Sequence, residues 1–347
     1  MKIVMYGQFF PPMTGEATVN ENVYEILTGL SGFKVFRVNS SLIRDVNDVG
    51  KFRIVKLFRF LNLFLRYLSV IYKVETLYVT PGQTLLGLLR VLPVMAVAKL
   101  LQVRVIAHWH GYGLLFCFLK RPTLVSFILR FIDDNIVLTK DLKTQLEQAG
   151  AKLTKVHIVN NYVDKPAGSK FDKDEFSVLY LGSLMPEKGI DSFLAAAEKV
   201  HYCSFVICGT GSYIEVEKVR NYASRCSNIA YKGLVTGDEK LGILRKSSVF
   251  VLQSHYPTEG VPLSMLEAMS HGCAIITTKH NGIPEVLDDS GIYVKKNSSI
   301  DLINSIEELY QTPELLQRYS SAALSRSNNY RFDTFKKDLV KIFVEEG

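Results

Sequence analysis

Two carboxylates stand eight positions apart in Glu259-Gly260-Val261-Pro262-Leu263-Ser264-Met265-Leu266-Glu267-Ala268-Met269. Pro262 fixes its own φ and has no amide proton, which suits the first turn of a helix. Leu266, Glu267, Ala268 and Met269 are good helix formers, and Gly272 is a natural stop. The spacing predicts Glu259 on a loop and Glu267 on the helix that follows. A helix start attracts anions through its free amides and its dipole. Carboxylates on either side of such a site suit a ligand that joins hydroxyls to phosphate, as a nucleotide sugar does. The competing reading is two glutamates on a solvated face.

Other residues could serve the same ligand. Lys188, in Leu181-Gly182-Ser183-Leu184-Met185-Pro186-Glu187-Lys188-Gly189, would offer a point charge to a diphosphate, or would simply be a surface lysine. Cys208-Gly209-Thr210-Gly211 ends a strand in a glycine turn, which alone is weak evidence for phosphate contact. Pro11-Pro12-Met13-Thr14-Gly15-Glu16 follows the first strand, and its glycine can mark a plain turn. His108-Trp109-His110-Gly111 ends another strand, where alternation points both histidines to one face. A metal held by His108 and His110 would lack a nearby carboxylate or cysteine. No metal-binding Asp-x-Asp appears beside these motifs; the one such spacing, Asp172-Lys173-Asp174, lies apart from them. No metal and no cofactor are expected.

The paired glutamates, Gly272-Cys273-Ala274-Ile275-Ile276 and Gly282-Ile283-Pro284-Glu285-Val286 together closely resemble glycosyltransferase family 4. That resemblance, with its E-x7-E motif, implies a retaining transferase of the GT-B fold: α/β, two facing Rossmann-like doubly wound domains with an interdomain cleft. It assigns Glu259 to hydroxyls of the donor sugar near the reacting carbon and Glu267 to the ribose. Amides at Val261 and Leu263 would face the sugar and diphosphate. Lys188 would bind the diphosphate, beside Ser183 where many members carry arginine. Gly209 and Gly211 would line the nucleotide pocket, and the backbone at Leu234 would touch the base. Gly15 matches a glycine that lets the backbone approach donor phosphate and acceptor. His110 matches a histidine at the donor sugar or reaction centre.

The elements must position these residues. Short β-branched runs alternate with helical patterns, first over Lys2–Tyr6, Lys34–Asn39, Thr76–Thr80, Val103–His108, Asn135–Leu138 and Val156–Val159. After a polar interval from Asp164 to Lys170 the rhythm restarts at Ser177–Leu181, Ser204–Cys208, Ile229–Tyr231, Val249–Gln253 and Ala274–Thr277. Such alternation predicts parallel β-α-β units. The expected domains are 1–165, binding acceptor, and 174–325, binding the nucleotide-sugar donor. A C-terminal helix over 330–347 would pack back on the first.

At 347 residues with 48% hydrophobic content, the chain can bury a large core. Its five scattered cysteines and the absence of a signal-peptide pattern at the start predict a reduced, cytoplasmic protein. Residues 1–163 hold 20 basic against 10 acidic side chains, while the remainder is net −3. This split suggests a polyanion or anionic surface facing the first half, and no nucleic-acid motif accompanies it. Leu85–Leu101 is too short and too interrupted to span a membrane, and reads as a core helix. Lys51–Val74 has six basic and no acidic residues. Its Lys51, Arg59, Arg66 and Lys73 share one stripe. It is either a core-packed helix with one wet side or a helix lying on an anionic bilayer.

The expected activity is transfer of a hexose-type sugar from a nucleotide diphosphate sugar to a saccharide acceptor. The basic first half suggests that this acceptor is lipid-linked, at the inner face of the plasma membrane, in surface polysaccharide or lipopolysaccharide assembly. The alternatives are a nucleotide-sugar epimerase on the same fold and a non-catalytic partner in a glycan assembly complex.

Overall fold

The structure is a computed structural model describing residues 1–11, 14–41, 54–164, 173 and 175–344. The expectations for Lys51 and for most of the polar interval, 165–170, lie outside the described residues. Two compact units result: Met1–Asn161 with Asp333–Gly347, and Tyr162–Phe332.

In the first unit the elements run β1 (Lys2–Gly7), α1 (Gly15–Thr28), β2 (Lys34–Asn39), α2 (Ile54–Ile71), β3 (Thr76–Val79), α3 (Leu85–Leu100), β4 (Arg104–Trp109), α4 (Gly113–Lys120), α5 (Pro122–Leu129), β5 (Asp134–Val137), α6 (Lys140–Gln148) and β6 (Lys155–Ile158). The second unit continues with β7 (Ser177–Leu181), α7 (Ile190–Lys199), β8 (Ser204–Cys208), α8 (Tyr213–Arg225), β9 (Ile229–Gly233), α9 (Gly237–Lys246), β10 (Val249–Leu252), α10 (Leu263–Ser270), β11 (Ala274–Thr277), α11 (Ile283–Leu287), β12 (Ile292–Tyr293), α12 (Ser299–Gln311) and α13 (Pro313–Ser327). The last helix, α14 (Phe332–Val344), belongs to the first unit over nearly all its length.

Each unit holds one six-stranded parallel sheet, in the orders β2-β1-β3-β4-β5-β6 and β12-β11-β10-β7-β8-β9. Burial follows position in the sheet. Central strands β3, β5, β7, β10 and β11 are buried at every residue, whereas edge strands β2, β6 and β12 are half exposed. Helices covering both faces of a parallel sheet produce this contrast. Each sheet order also reverses once, between β1 and β3 and between β7 and β10. Ligands of doubly wound sheets bind outside the carboxyl ends of the strands at such reversals.

α14 closes the first sheet: Phe343 packs against Tyr78 at 6.3 Å between ring centres, and Arg104 Nη1 donates to Ile342 O at 3.1 Å. α3 is a core helix, burying Leu88, Val91, Val94, Met95 and Ala98. Among the described residues no helix is long and apolar enough to cross a membrane. α2 and the turn after it bury Tyr67, Ile71 and Val74 in the same core, while Arg59, Arg66 and Lys73 lie outside with Leu61, Leu65 and Tyr72. One face of this segment is core, and the other mixes cations with exposed apolar side chains.

Candidate active site

The second sheet reverses between β7 and β10, and the loops after those two strands bring the sequence-singled residues together. After β7, Pro186-Glu187-Lys188 makes one tight turn that ends on Gly189, with φ of 84°. A side chain at Gly189 would meet Gln253 Cβ at 2.6 Å, so glycine lets this turn lie against the end of β10. The His255 amide donates to Glu187 O at 2.7 Å and joins the two loops. Lys188 Nζ thereby sits 3.0 Å from Glu259 Oε2, and 5.7 Å from the Tyr256 ring centre.

Glu259 is buried, contrary to the picture of a solvated face. Ser254 Oγ donates to its Oε2 at 2.7 Å. Its loop is fastened from behind by Asn281, whose Nδ2 donates to Pro257 O at 3.0 Å and Glu259 O at 2.9 Å. His280 Nε2 meets Tyr256 O at 2.8 Å. A carboxylate enclosed by one hydroxyl and one ammonium is fixed in its orientation. Sequence reasoning missed Ser254 and Asn281. Asn281-Gly282 lies next to a quoted motif, but nothing local shows that its amide reaches back to residue 259.

Pro262 caps α10 rather than entering it, and the helix begins at Leu263. Val261 is buried at this start. Glu267 lies one turn in, half exposed, with Oε1 accepting from Lys240 Nζ at 2.7 Å. Lys240 on α9 was also missed, because an ion pair between two helices leaves no mark in local spacing.

The glycines after β8 have a packing reason. Gly209 has φ of 142°, and a Cβ there would collide with Gly182 O; one at Gly211 would collide with Leu184 O. Leu184 N donates to Thr210 O at 2.9 Å, so the loop carrying Ser183 is laced to the glycine turn. Tyr180 Oη also donates to Ser183 O at 2.6 Å. Leu234 follows Gly233, of φ 68°, and its side chain is exposed.

In the first unit, Thr14 caps α1 by accepting from Ala17 N at 3.1 Å, and Gly15 is the first helical residue. His110 follows β4. Its ring lies 4.2 Å from that of His108, so the two do share a face. His108 is fully buried, with Nδ1 2.6 Å from Tyr78 Oη. This hydrogen bond and the complete burial of the ring make His108 a core histidine. Burial holds His108 well below the ordinary histidine range, helped by His110, and lowers His110 itself to about 3. Both rings are therefore neutral at ordinary pH. Among the described residues no cluster of three or more His, Cys, Asp or Glu could hold a metal.

Residues 163–326 match the family described as Glycosyl transferases group 1. An uncharacterized glycosyltransferase of Methanocaldococcus jannaschii is 23% identical over 99% of this chain and 98% of its own. Sucrose-phosphate synthase from Thermosynechococcus elongatus superposes with a TM-score of 0.78 at 15% identity, covering 99% of both chains. The Anabaena protein HepE, in complex with UDP-glucose, gives 0.73 at 15% identity, again over 99% of both. Residues 163–326 thus carry the Glycosyl transferases group 1 pattern, and the full-length structural likenesses show the two-domain GT-B fold.

Proposed function

We propose that the protein transfers a hexose-type sugar from a nucleotide diphosphate sugar to a saccharide acceptor with retention at the anomeric carbon. The observation that carries this reading is the Lys188–Glu259 pair at the reversal of the second sheet. A diphosphate arriving there competes for the ammonium. Lys188 then stabilises the leaving group, and Glu259, still held by Ser254, is released toward the sugar hydroxyls. Donors aimed at charge that develops in the transition state contribute most when they are fixed in advance. The loop fastening by Asn281 supplies that fixity.

Glu267 would take the ribose hydroxyls, sharing them with Lys240, while the backbone after β8 and at Leu234 faces the nucleotide. Val261 and Leu263 would offer amides at the start of α10, and neutral His110 would accept or donate a hydrogen bond without charge. Lys188 and these amides serve the diphosphate without a metal. The first unit would bind the acceptor. Its basic surplus and the outer face of α2, with Arg59, Arg66 and Lys73, fit a lipid-linked saccharide at an anionic membrane, as in lipopolysaccharide or surface polysaccharide assembly.

The test is a screen of UDP-, GDP- and deoxysugar donors for sugar release and for transfer to saccharide acceptors, with product configuration read by NMR. An inverted product would refute retention, and no turnover of any donor would refute the reading as a whole.

A further inference from the structure

The second unit carries a cavity of about 470 Å³ at the carboxyl ends of β10, β11 and β12. Neither Lys188 nor Glu259 lines it. Its walls come from three segments, 254–255, 278–280 and 293–296, one at the end of each strand. The fold ties these segments together. Thr278 Oγ1 donates to Ser254 O, and Val294 N donates to Thr277 O at 2.8 Å. Gln253 Nε2 donates to Lys295 O and to Ser298 O, both at 3.1 Å. The cavity therefore keeps its shape without help from a ligand.

Its charge runs against its surroundings. Residues 164–347 are net −3, yet Lys279, Lys295 and Lys296 gather here against a single carboxylate, Asp301. That carboxylate is already engaged, because its Oδ2 accepts from Lys295 N at 3.2 Å. The Asp301 amide in turn donates to Ser298 Oγ at 3.1 Å, which caps α12. Among the described residues the three ammonium groups pair with no carboxylate. Lys188, Lys218 and Lys240 in the same unit each sit within 3.0 Å of one. Lys279 Nζ lies instead 5.3 Å from the Tyr293 ring centre, a cation–π contact that holds it at the cavity wall.

Three like charges at one cavity repel each other, and an anion between them relieves the repulsion. Ammonium groups only donate hydrogen bonds, so the matching group is rich in acceptor oxygens. A carboxylate would bring two oxygens and one charge. A phosphate brings three free oxygens and nearly two charges, one oxygen for each lysine. The volume is many times the roughly 30 Å³ share of one water, which leaves room for an organic group on that phosphate. We propose that this cavity is a phosphate site, with Lys279, Lys295 and Lys296 as its cations, and that it takes a phosphate monoester such as a sugar phosphate. The site lies beyond the transferase reading and does not depend on it. Ser254 connects the two places, since it lines the cavity while its Oγ holds Glu259 Oε2 at 2.7 Å.

The experiment is calorimetric titration at about pH 8, where a phosphate monoester is a dianion. Orthophosphate, glucose 6-phosphate and glucose are added in turn to protein saturated with UDP, so that Lys188 does not report. Glucose 6-phosphate should bind and glucose should not. Tighter binding of the ester than of orthophosphate is the result expected for a sugar phosphate. Equal binding would assign the site to free phosphate and overturn the ester. Lys279→Gln, Lys295→Gln and Lys296→Gln should each weaken binding by about 5- to 10-fold, the scale of one hydrogen bond, and the triple variant by on the order of 100-fold or more. These side chains are paired with no carboxylate, so the triple variant should keep its melting temperature and its UDP affinity. Lys199→Gln, at an exposed lysine that does not line the cavity, should change nothing. Binding of neither phosphate, binding retained in the triple variant, or an equal loss in Lys199→Gln overturns the proposal. Phosphate binding of the expected kind in a protein that takes no UDP would count against the nucleotide-sugar reading and leave this site standing.

Discussion

The Lys188 ammonium lies 3.0 Å from one oxygen of Glu259 and 3.4 Å from the other, so cation and carboxylate neutralise each other before any ligand arrives. Glu259→Gln keeps the shape and the acceptor oxygen for Ser254 but removes the charge. It should lower kcat for transfer by about 100- to 1000-fold, the scale of losing one fixed electrostatic group. Circular dichroism and a thermal melt should show a retained fold. Near-normal turnover would remove Glu259 from the chemistry.

Lys188→Met leaves the buried carboxylate without its cation. We expect destabilisation of roughly 2–4 kcal/mol in urea unfolding, because an uncompensated buried charge costs more than the pair contributes. Adding Glu259→Gln should restore part of that loss, and strict additivity in the double-mutant cycle would show that the two do not interact.

Glu267→Gln should act differently. Its carboxylate is half exposed and shared with Lys240, so stability should change by less than about 1 kcal/mol. The donor KM should rise about tenfold while kcat moves little, the signature of binding that is uniform between ground and transition states. A large fall in kcat at unchanged KM would contradict a ribose role.

His110 provides a pH test. Its folded value of about 3 lies below the ordinary 6.5, so the folded state binds fewer protons than the unfolded chain between these values. Stability should therefore be fully present above pH 6.5 and decline as pH falls toward 3, by at most about 1.4 kcal/mol per pH unit for this group. Side-chain ¹⁵N NMR should show a neutral ring from pH 8 down to 5. A midpoint near 6.5 would mean that the ring is open to water.

Changing Arg59, Arg66 and Lys73 together to Gln should weaken flotation with phosphatidylserine vesicles by roughly 100-fold, at about 1 kcal/mol per basic residue near an anionic surface. Unchanged flotation would leave the outer face of α2 without a membrane role.

Strand positions were legible because burial on both faces demands continuous β-branched runs, and most observed strands begin within one residue of expectation. β12 escaped, since Ile292–Tyr293 is too short to show any period. The position of Glu259 on a loop ahead of a helix could be read from Pro262. Its burial could not, because Ser254 and Asn281 act on it through the fold. The glycines at 209 and 211 were read as ligand-facing; that the neighbouring loop at 182–184 also requires them could not be read from their spacing. In α2 the charge stripe was visible, but only the sheet beneath decides that Tyr67 and Ile71 point inward.

The placement of α14 has a consequence for biosynthesis. The first unit lacks its closing helix until residues after 332 are made, although its six strands all precede the second unit along the chain. Domains assemble as they leave the ribosome, usually from the N-terminus onward. Here the later-translated unit, Tyr162–Phe332, can finish first, while Tyr78 and the first sheet wait for Phe343. A chain cut back to residue 332 would thus hold one completed unit and one still open.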